Sequence, residues 1–476
     1  MKNEPGQDNP IAKSHSPDNG LTKKIGLFPV TNIVVANMIG AGIFTTSGLL
    51  MQDLHHPILM LVLWLVGGLM AICGALSYGE LGAAIPRAGG EYVFLSRLFH
   101  PAFGFLSGWV SFFAGFSAPI AASAIGFSEY LIRAFPGIGK IGIFPQQVEP
   151  SIVKKIFAVL IILIFTSIHI RGIHFGSRVQ NLLTALKVAL IVGLVVVGFS
   201  IGSGNLQHLN QSVPLDLSFG GWKTMGLGLM WIMFAYSGWN AAAYIGSEVK
   251  NPARNLPRSL ILGTGTVILL YFLLNLLYVY AVPPSEMEGV ISIGGLAVGN
   301  LFGKSFENIL SLFISFALFS SLSAYIILGP RVYYSMAKDG LFFKFAGSVH
   351  PKYGVPAKSI ILQGAIASVF VLFGTFDQIL TYMGFSLGVF PLLAVIGVFK
   401  LRKRKMGAYK MPGFPAAPLI YLLGGITILL LGYFERPFES TIAVVTVLLG
   451  IPVYLKLKKN NETLVSESPA PDADSE

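Results

Sequence analysis

Charge is what this chain has least of. Only 12% of its 476 residues are Asp, Glu, Lys or Arg, roughly half the share found in soluble domains. With 54% hydrophobic residues and a mean hydropathy of +0.70, a water-soluble fold is excluded. Cysteine is nearly absent: Cys73 stands alone inside an apolar run, so no internal disulfide forms. The sequence has no complete G-x-x-x-x-G-K-S/T phosphate loop, since Gly303-Lys304-Ser305 has Val298 where the first glycine would stand, and it has no metal-ligand cluster and no catalytic triad. ATP-driven pumping and membrane enzymology lose their support, and neither a cofactor nor a metal is expected. Residues 1–24 are polar, and the first apolar segment is too long for a signal peptide and lacks a cleavage-like flank, so none is expected.

Long apolar runs are what the chain has most of. Twelve segments reach membrane-helix length or can be trimmed or extended to it: 27–50, 56–84, 100–132, 152–170, 176–201, 222–247, 258–282, 305–336, 359–376, 379–399, 417–434 and 439–456. The expectation is an all-α polytopic membrane protein of 12 transmembrane helices. The ninth and tenth spans require a tight turn at Gly374-Thr375-Phe376-Asp377. The ends, 1–24 and 459–476, read as disordered.

An even number of spans puts both ends on one side of the bilayer. Of the 33 lysines and arginines, 25 fall on that side, 7 on the other, and Lys187 lies inside a span. The excess marks that side as cytoplasmic. The net charge of +11 is therefore a topology signal, with Lys400–Lys405 a contact for anionic lipid, and no nucleic-acid partner is expected. The localisation predicted is a multi-pass protein of the cell membrane with both termini cytoplasmic.

The first span is weak at its centre. Residues 31–50 read TNIVVANMIGAGIFTTSGLL, with Gly40-Ala41-Gly42 near mid-membrane. Two glycines lower the cost of unwinding the backbone, and unwound backbone is tolerated in lipid only when buried in protein or facing a watery cavity. A break exposes N–H groups of one half-helix, which suit a carboxylate, and C=O groups of the other, which suit an ammonium. Together they suit an amino acid. The alternative is that Gly40 and Gly42 merely let a neighbouring helix approach closely. The sixth span carries a matching interruption, Ser237-Gly238, flanked by Tyr236, Trp239 and the helix-capping type of residue Asn240. Breaks in the first and sixth spans point to an inverted repeat of five plus five helices. The first repeat then covers 25–201 and the second 202–400, with spans eleven and twelve added in 401–458.

Four stretches resemble the amino acid–polyamine–organocation superfamily, nearest its L-type transporter-like and bacterial amino acid permease branches. The first is Gly40-Ala41-Gly42-Ile43-Phe44. Next comes Ser77-Tyr78-Gly79-Glu80-Leu81, running on to Pro86-Arg87-Ala88-Gly89-Gly90-Glu91-Tyr92. Phe234-Ala235-Tyr236-Ser237-Gly238-Trp239-Asn240 goes with Glu248-Val249-Lys250-Asn251-Pro252. The last begins at Arg331 and includes Ala337-Lys338-Asp339-Gly340 and His350-Pro351. The resemblance implies the LeuT-type fold and amino acid transport by alternating access. It places the substrate carboxylate on the backbone N–H groups of Ala41, Gly42 and Ile43, beside Gly40. The ammonium falls against the carbonyls of Met38, Ile39, Phe234, Ala235 and Ser237, with Phe234 and Trp239 closing over the ligand next to Gly238. Relatives commonly carry serine where this chain has Ala41, so no side-chain hydroxyl helps. Some animal relatives bond a single-span glycoprotein through a cysteine between spans three and four. Residues 133–151 contain none, and no disulfide-linked heavy subunit is expected.

Lys187 lies about 17 Å into the fifth span, from ~11 residues at ~1.5 Å each. An unpartnered charge there costs at least ~2.5 kcal/mol, so its side chain should face the bundle interior unless the register brings it to the headgroups. By the resemblance it occupies the region where sodium-coupled relatives hold an ion, near the first break and Ser320, Ser321 and Ser323 of the eighth span. That implies sodium independence, with Lys187 as a fixed charge in an exchanger or a participant in proton coupling.

Glu80, Glu91 and Glu248 read as loop anchors or gate salt bridges, His169 and His174 as structural, and 331–358 as an interfacial helix. With no acidic residue near either break in the sequence, neutral substrates are favoured over cationic amino acids or polyamines. The reading is a sodium-independent secondary transporter of neutral L-amino acids, by proton symport or exchange. The alternatives are a cationic amino acid or polyamine carrier and, from another class, a non-transporting receptor.

Overall fold

The structure, a computed structural model, describes residues 25–87, 89–137, 149–171, 177–211 and 213–467. The terminal segment 1–24, His174 and the side chain of Ser320 lie outside the described residues. Within them the chain is helical throughout, with no strand beyond one isolated parallel bridge between Ile25 and Val249.

Ten helical stretches are long and apolar enough to cross a membrane. The first is interrupted: α1 (Leu27–Met38) stops and α2 (Ala41–Leu54) restarts after Ile39 and Gly40. Proline at the first turn, where its missing N–H costs nothing, starts α3 (Pro57–Ala84). A short α4 (Glu91–Leu98) leads into α5 (Pro101–Val110), which runs through a π turn at Ser111–Ser117 into α6 (Ala118–Ala134). Pro119 has no N–H to give that ladder, and the wider turn accommodates its ring. Then come α7 (Pro150–Ile170), α8 (Ser177–Ile201) and α9 (Phe219–Ala235).

After α9 the chain goes on in 3₁₀ turns, Ala241–Tyr244 and Gly246–Glu248, before α10 (Pro252–Ala281). Two short helices, α11 (Pro284–Met287) and α12 (Ile293–Phe302), precede α13 (Lys304–Lys338). The last four are α14 (Ala357–Phe373), α15 (Phe376–Lys403), α16 (Ala416–Glu435) and α17 (Pro437–Glu467).

Several expectations need correcting. The sixth and ninth apolar segments form helices of only 17 residues, α9 and α14, at the lower edge of the ~17–25 needed to span. The sixth is short because its second half never regains α geometry. Residues 331–338 are not a separate interfacial helix but the end of α13, which continues straight past Pro330. The last helix passes the boundary expected at 458 and runs to Glu467, since no glycine or proline intervenes between Pro452 and Pro469. The turn between α14 and α15 is tighter than expected, just Gly374 and Thr375. Thr375 and Gln378 form a reciprocal capping box there.

The helices build one apolar core. α3 lies along α10, α6 along α13, α14 along α7 and α16 along α9, while α1 packs on α10 and α2 on α9. Trp64, Trp231, Tyr78, Tyr130, Tyr236 and Tyr271 are fully buried in it. Outward lie Leu182, Val196, Leu269, Phe313, Leu423 and Leu448, an apolar exterior that only lipid would cover favourably.

Candidate substrate and coupling site

The two interruptions meet. In the first, Ile39 (φ −74°, ψ 93°) and Gly40 (φ −135°, ψ −152°) are extended, and Gly40 carries no side chain to cap α2. The first N–H groups of α2, from Ala41, Gly42 and Ile43, therefore have no side-chain acceptor at the cap. In the second, α9 ends at Ala235, and Gly238 takes φ +96°, a conformation that disfavours any side chain. Each glycine packs on the other interruption. A Cβ added at Gly42 would lie 2.5 Å from Ala235 Cα, and one at Gly238 would lie 2.8 Å from the Asn37 carbonyl. Both roles weighed for the first-span glycines are thus filled, by different residues: Gly40 sits in the break and Gly42 is the close-approach residue.

The carbonyls at the helix ends already have donors. Tyr271 Oη of α10 shares its one proton between Met38 O at 2.5 Å and Ala235 O at 3.2 Å, joining the C-terminal ends of α1 and α9. Ser237 N–H donates to Phe234 O at 2.8 Å. A carbonyl has two lone pairs, so each can accept a second hydrogen bond. Tyr271 was missed in the sequence. Its signal was the pair Tyr271 and Asn275, polar at i and i+4 in an apolar run, where Asn275 takes a hydrogen bond from Ser47 of α2.

Lys187 reaches the same place. It is 4% exposed, while Leu182 and Leu186 of the same helix are 59% and 55% exposed, so the lysine faces inward from the apolar exterior. Its Nζ donates to Ser321 Oγ at 2.7 Å and to Ile39 O at 3.4 Å. It forms no ion pair with a carboxylate among the described residues; its partners are neutral oxygens. Ser323 does not join it. Its Oγ lies 3.0 Å from Nε2 of the buried His169 of α7.

The aromatic residues of the second interruption differ in surroundings. Phe234 is buried near the end of α9. Trp239 stands edge-on to Tyr78, with centroids 4.7 Å apart, and to Tyr421, and it packs on Gly74. Asn240 does not cap the segment that follows. Its Nδ2 donates to Glu91 at 2.7 Å. This corrects the expectation that no acidic residue lies near either break, because Glu91 is distant in sequence and adjacent in the fold. It also corrects the salt-bridge reading of Glu91, whose partners here are hydroxyl and amide donors. Glu80 does fit that reading: Arg402 grips it through both oxygens, at 2.8 and 2.7 Å.

Both ends of the bundle are tied. At one, Ile25 N donates to Glu248 O at 3.0 Å and Lys250 N to Ile25 O at 2.9 Å. At the other, α12 lies against α2 and α13. There Gly289 N donates to Gly48 O at 2.9 Å, and Arg133 of α6 holds Ser292 and Glu307 at 2.5 and 2.7 Å.

Two interrupted helices docked on one another in a many-helix apolar bundle, with a buried lysine at their junction, define a membrane carrier. Over residues 25–455 the sequence matches the model of the amino acid permease family, and the chain belongs to that family. It is similar to the serine/threonine exchanger SteT of Bacillus subtilis (strain 168), 29% identical over 94% of this chain and 99% of the relative. The b(0,+)-type amino acid transporter 1 of Mus musculus is 28% identical over 91% of this chain and 88% of its own. The large neutral amino acids transporter small subunit 2 of the same species is 26% identical over 95% and 85%. These relatives are transporters, and the chain is an amino acid permease rather than an enzyme.

Proposed function

We propose that this permease is a secondary active transporter of neutral L-amino acids, sodium-independent, working by proton symport or exchange through alternating access. Its twelve spans count α9 and α14 as crossings and the first pair of half-helices as one. Ten of them form two five-helix repeats and the last two, α16 and α17, are additions, with both termini on the cytoplasmic side of the cell membrane, as the lysine and arginine bias favours. The observation that carries the reading is the docking of one interruption on the other, Gly42 on Ala235 and Gly238 on Asn37.

The zwitterion's carboxylate takes the open N–H groups of Ala41, Gly42 and Ile43 at the positive end of α2. Its ammonium takes the second lone pairs of carbonyls at the ends of α1 and α9. A cationic substrate side chain would need a carboxylate open to pair with it, and Glu91, the acidic residue nearest the second break, already accepts three hydrogen bonds, from Tyr78, Asn240 and Tyr244. Lys187 places a cation among a carbonyl and a hydroxyl oxygen, the donors a sodium ion would use, and so stands in its place. The partners are an amino acid and the lipid bilayer, joined by protons if the mode is symport.

A thermal-shift screen of the purified protein against all twenty amino acids, with and without sodium and across pH, tests this. Neutral amino acids should raise the apparent Tm, as any ligand specific to the folded state does, with no effect of sodium. A response confined to cationic amino acids, or one that needs sodium, would contradict it. Counterflow of a labelled amino acid in proteoliposomes separates a transporter from a receptor that binds without moving its ligand.

A further inference from the structure

Glu91 is a buried carboxylate with no cation beside it. It opens α4, is 6% exposed, and accepts three hydrogen bonds: from Tyr78 Oη at 2.8 Å, Asn240 Nδ2 at 2.7 Å and Tyr244 Oη at 2.5 Å. Two of the three donors belong to the segment that follows the second interruption. The backbone lays that segment on the same loop. Gly89 N–H donates to Tyr244 O at 3.1 Å, Gly90 lies against the Tyr244 ring, and Gly246 backs onto Pro86 and Arg87.

Charged groups on the surrounding elements are engaged elsewhere. On α15, Arg402 is held by Glu80, Lys400 lies 3.8 Å over the Phe99 ring and Arg404 donates to the Arg97 carbonyl. Toward α5, His100 caps the helix start. Asp339, beyond α13, lies by Tyr92, and the nearest titratable group on α16 is the Tyr421 hydroxyl. Arg87, in the loop itself, forms no ion pair among the described residues.

We propose that Glu91 is a proton-binding site, distinct from Lys187, that takes up a proton when segment 238–250 docks on the loop between α3 and α5 and releases it when the segment swings away. The inference rests on the alternating-access reading above. An ionised carboxylate withdrawn from water against neutral donors alone is costly. A proton from the adjoining water turns one of its oxygens into an O–H donor, which a phenol oxygen can accept. Burial pushes the Glu91 carboxyl above the ordinary glutamate range, by more than its three hydrogen bonds pull it down. Undocking removes Asn240 and Tyr244 and returns the carboxylate to water. The docked form thus holds the proton more tightly. Falling pH favours docking. As pH rises from the ordinary glutamate value through the raised one, the docked-to-undocked ratio falls by up to about tenfold per pH unit.

Hydrogen exchange of the full-length protein in lipid nanodiscs, read by mass spectrometry and corrected for intrinsic rates, tests this without any substrate. It therefore stands or falls apart from the transport assays. Protection of 238–250 should drop several-fold across that pH window, while peptides of α3 and α10 hold steady. Glu91→Gln, which keeps acceptor and shape but cannot ionise, should hold high protection at every pH. Tyr244→Phe removes a hydrogen bond that lowers the carboxyl's proton affinity, so it should move the wild-type response to higher pH. The idea is overturned by a pH response that persists unchanged in Glu91→Gln, stays put in Tyr244→Phe, or is absent from the wild type.

Discussion

Gly42 and Ala235 touch main chain to main chain: a methyl group on Gly42 would overlap Ala235 Cα at 2.5 Å. The start of one half-helix therefore rests on the end of another, two hundred residues away in sequence. The junction they form sets N–H groups with no side-chain cap beside carbonyls with lone pairs to spare.

Gly42→Ala should cost about 1–3 kcal/mol, since neither backbone can yield without moving a helix. Gly238→Ala should cost more, because it adds the φ of +96° to a contact with Asn37. Gly265→Ala on α10, where nothing lies within 4 Å, should be neutral or gain up to about 1 kcal/mol. Tm values of the three purified variants check the ranking, and equal effects at 42 and 265 would refute the contact.

Lys187→Ala removes an ammonium from Ser321 and Ile39. Charge-assisted hydrogen bonds are worth about 1.5–3 kcal/mol, so uptake into proteoliposomes should slow roughly ten- to hundredfold and keep only the pH dependence that Glu91 imparts. Undiminished uptake with an unchanged pH dependence would remove the lysine from the mechanism.

Tyr271→Phe takes away one hydroxyl and with it a donor to both Met38 and Ala235. Leaving these buried carbonyls short should cost about 1–3 kcal/mol. A neutral amino acid whose ammonium replaces the lost donor should recover part of that in a thermal shift. A variant as stable as wild type, with the same ligand response, would show that the phenol bridge is incidental.

Glu80 is fully buried, and Arg402 meets both of its oxygens. Arg402→Met alone should cost up to about 3–5 kcal/mol, with Lys410 Nζ at 3.9 Å and the Met411 N–H at 2.9 Å left to the carboxylate. The double variant with Glu80→Gln should recover most of that loss. A double-mutant cycle on Tm measures the coupling, and strict additivity would argue against it.

Much of the fold was legible because lipid leaves few options. Every long apolar run had to be helical to satisfy its backbone, and of the first-span glycines Gly40 fell where the helix opens. What escaped the sequence was pairing across distance. Tyr271 looks like one more aromatic in an apolar helix until its hydroxyl is seen between two helix ends. Glu91 looks like a loop carboxylate until Tyr244 and Asn240 fold back onto it. Trp239, expected over a ligand, packs on Gly74 and Tyr78, neighbours no local pattern reveals. Lys187 was legible by cost alone, since a charge at that depth must find polar company, but which serine it chose was not.

The most direct measurement places a thiol at the head of α2. In a Cys73→Ser background, Ala41→Cys puts a single cysteine at the first N–H groups of that half-helix. Its alkylation should block transport, and saturating neutral amino acid should slow the reaction at least about tenfold, by occupying the site in most molecules. Alkylation at an unchanged rate in the presence of amino acids that the same protein transports would show that the substrate binds elsewhere.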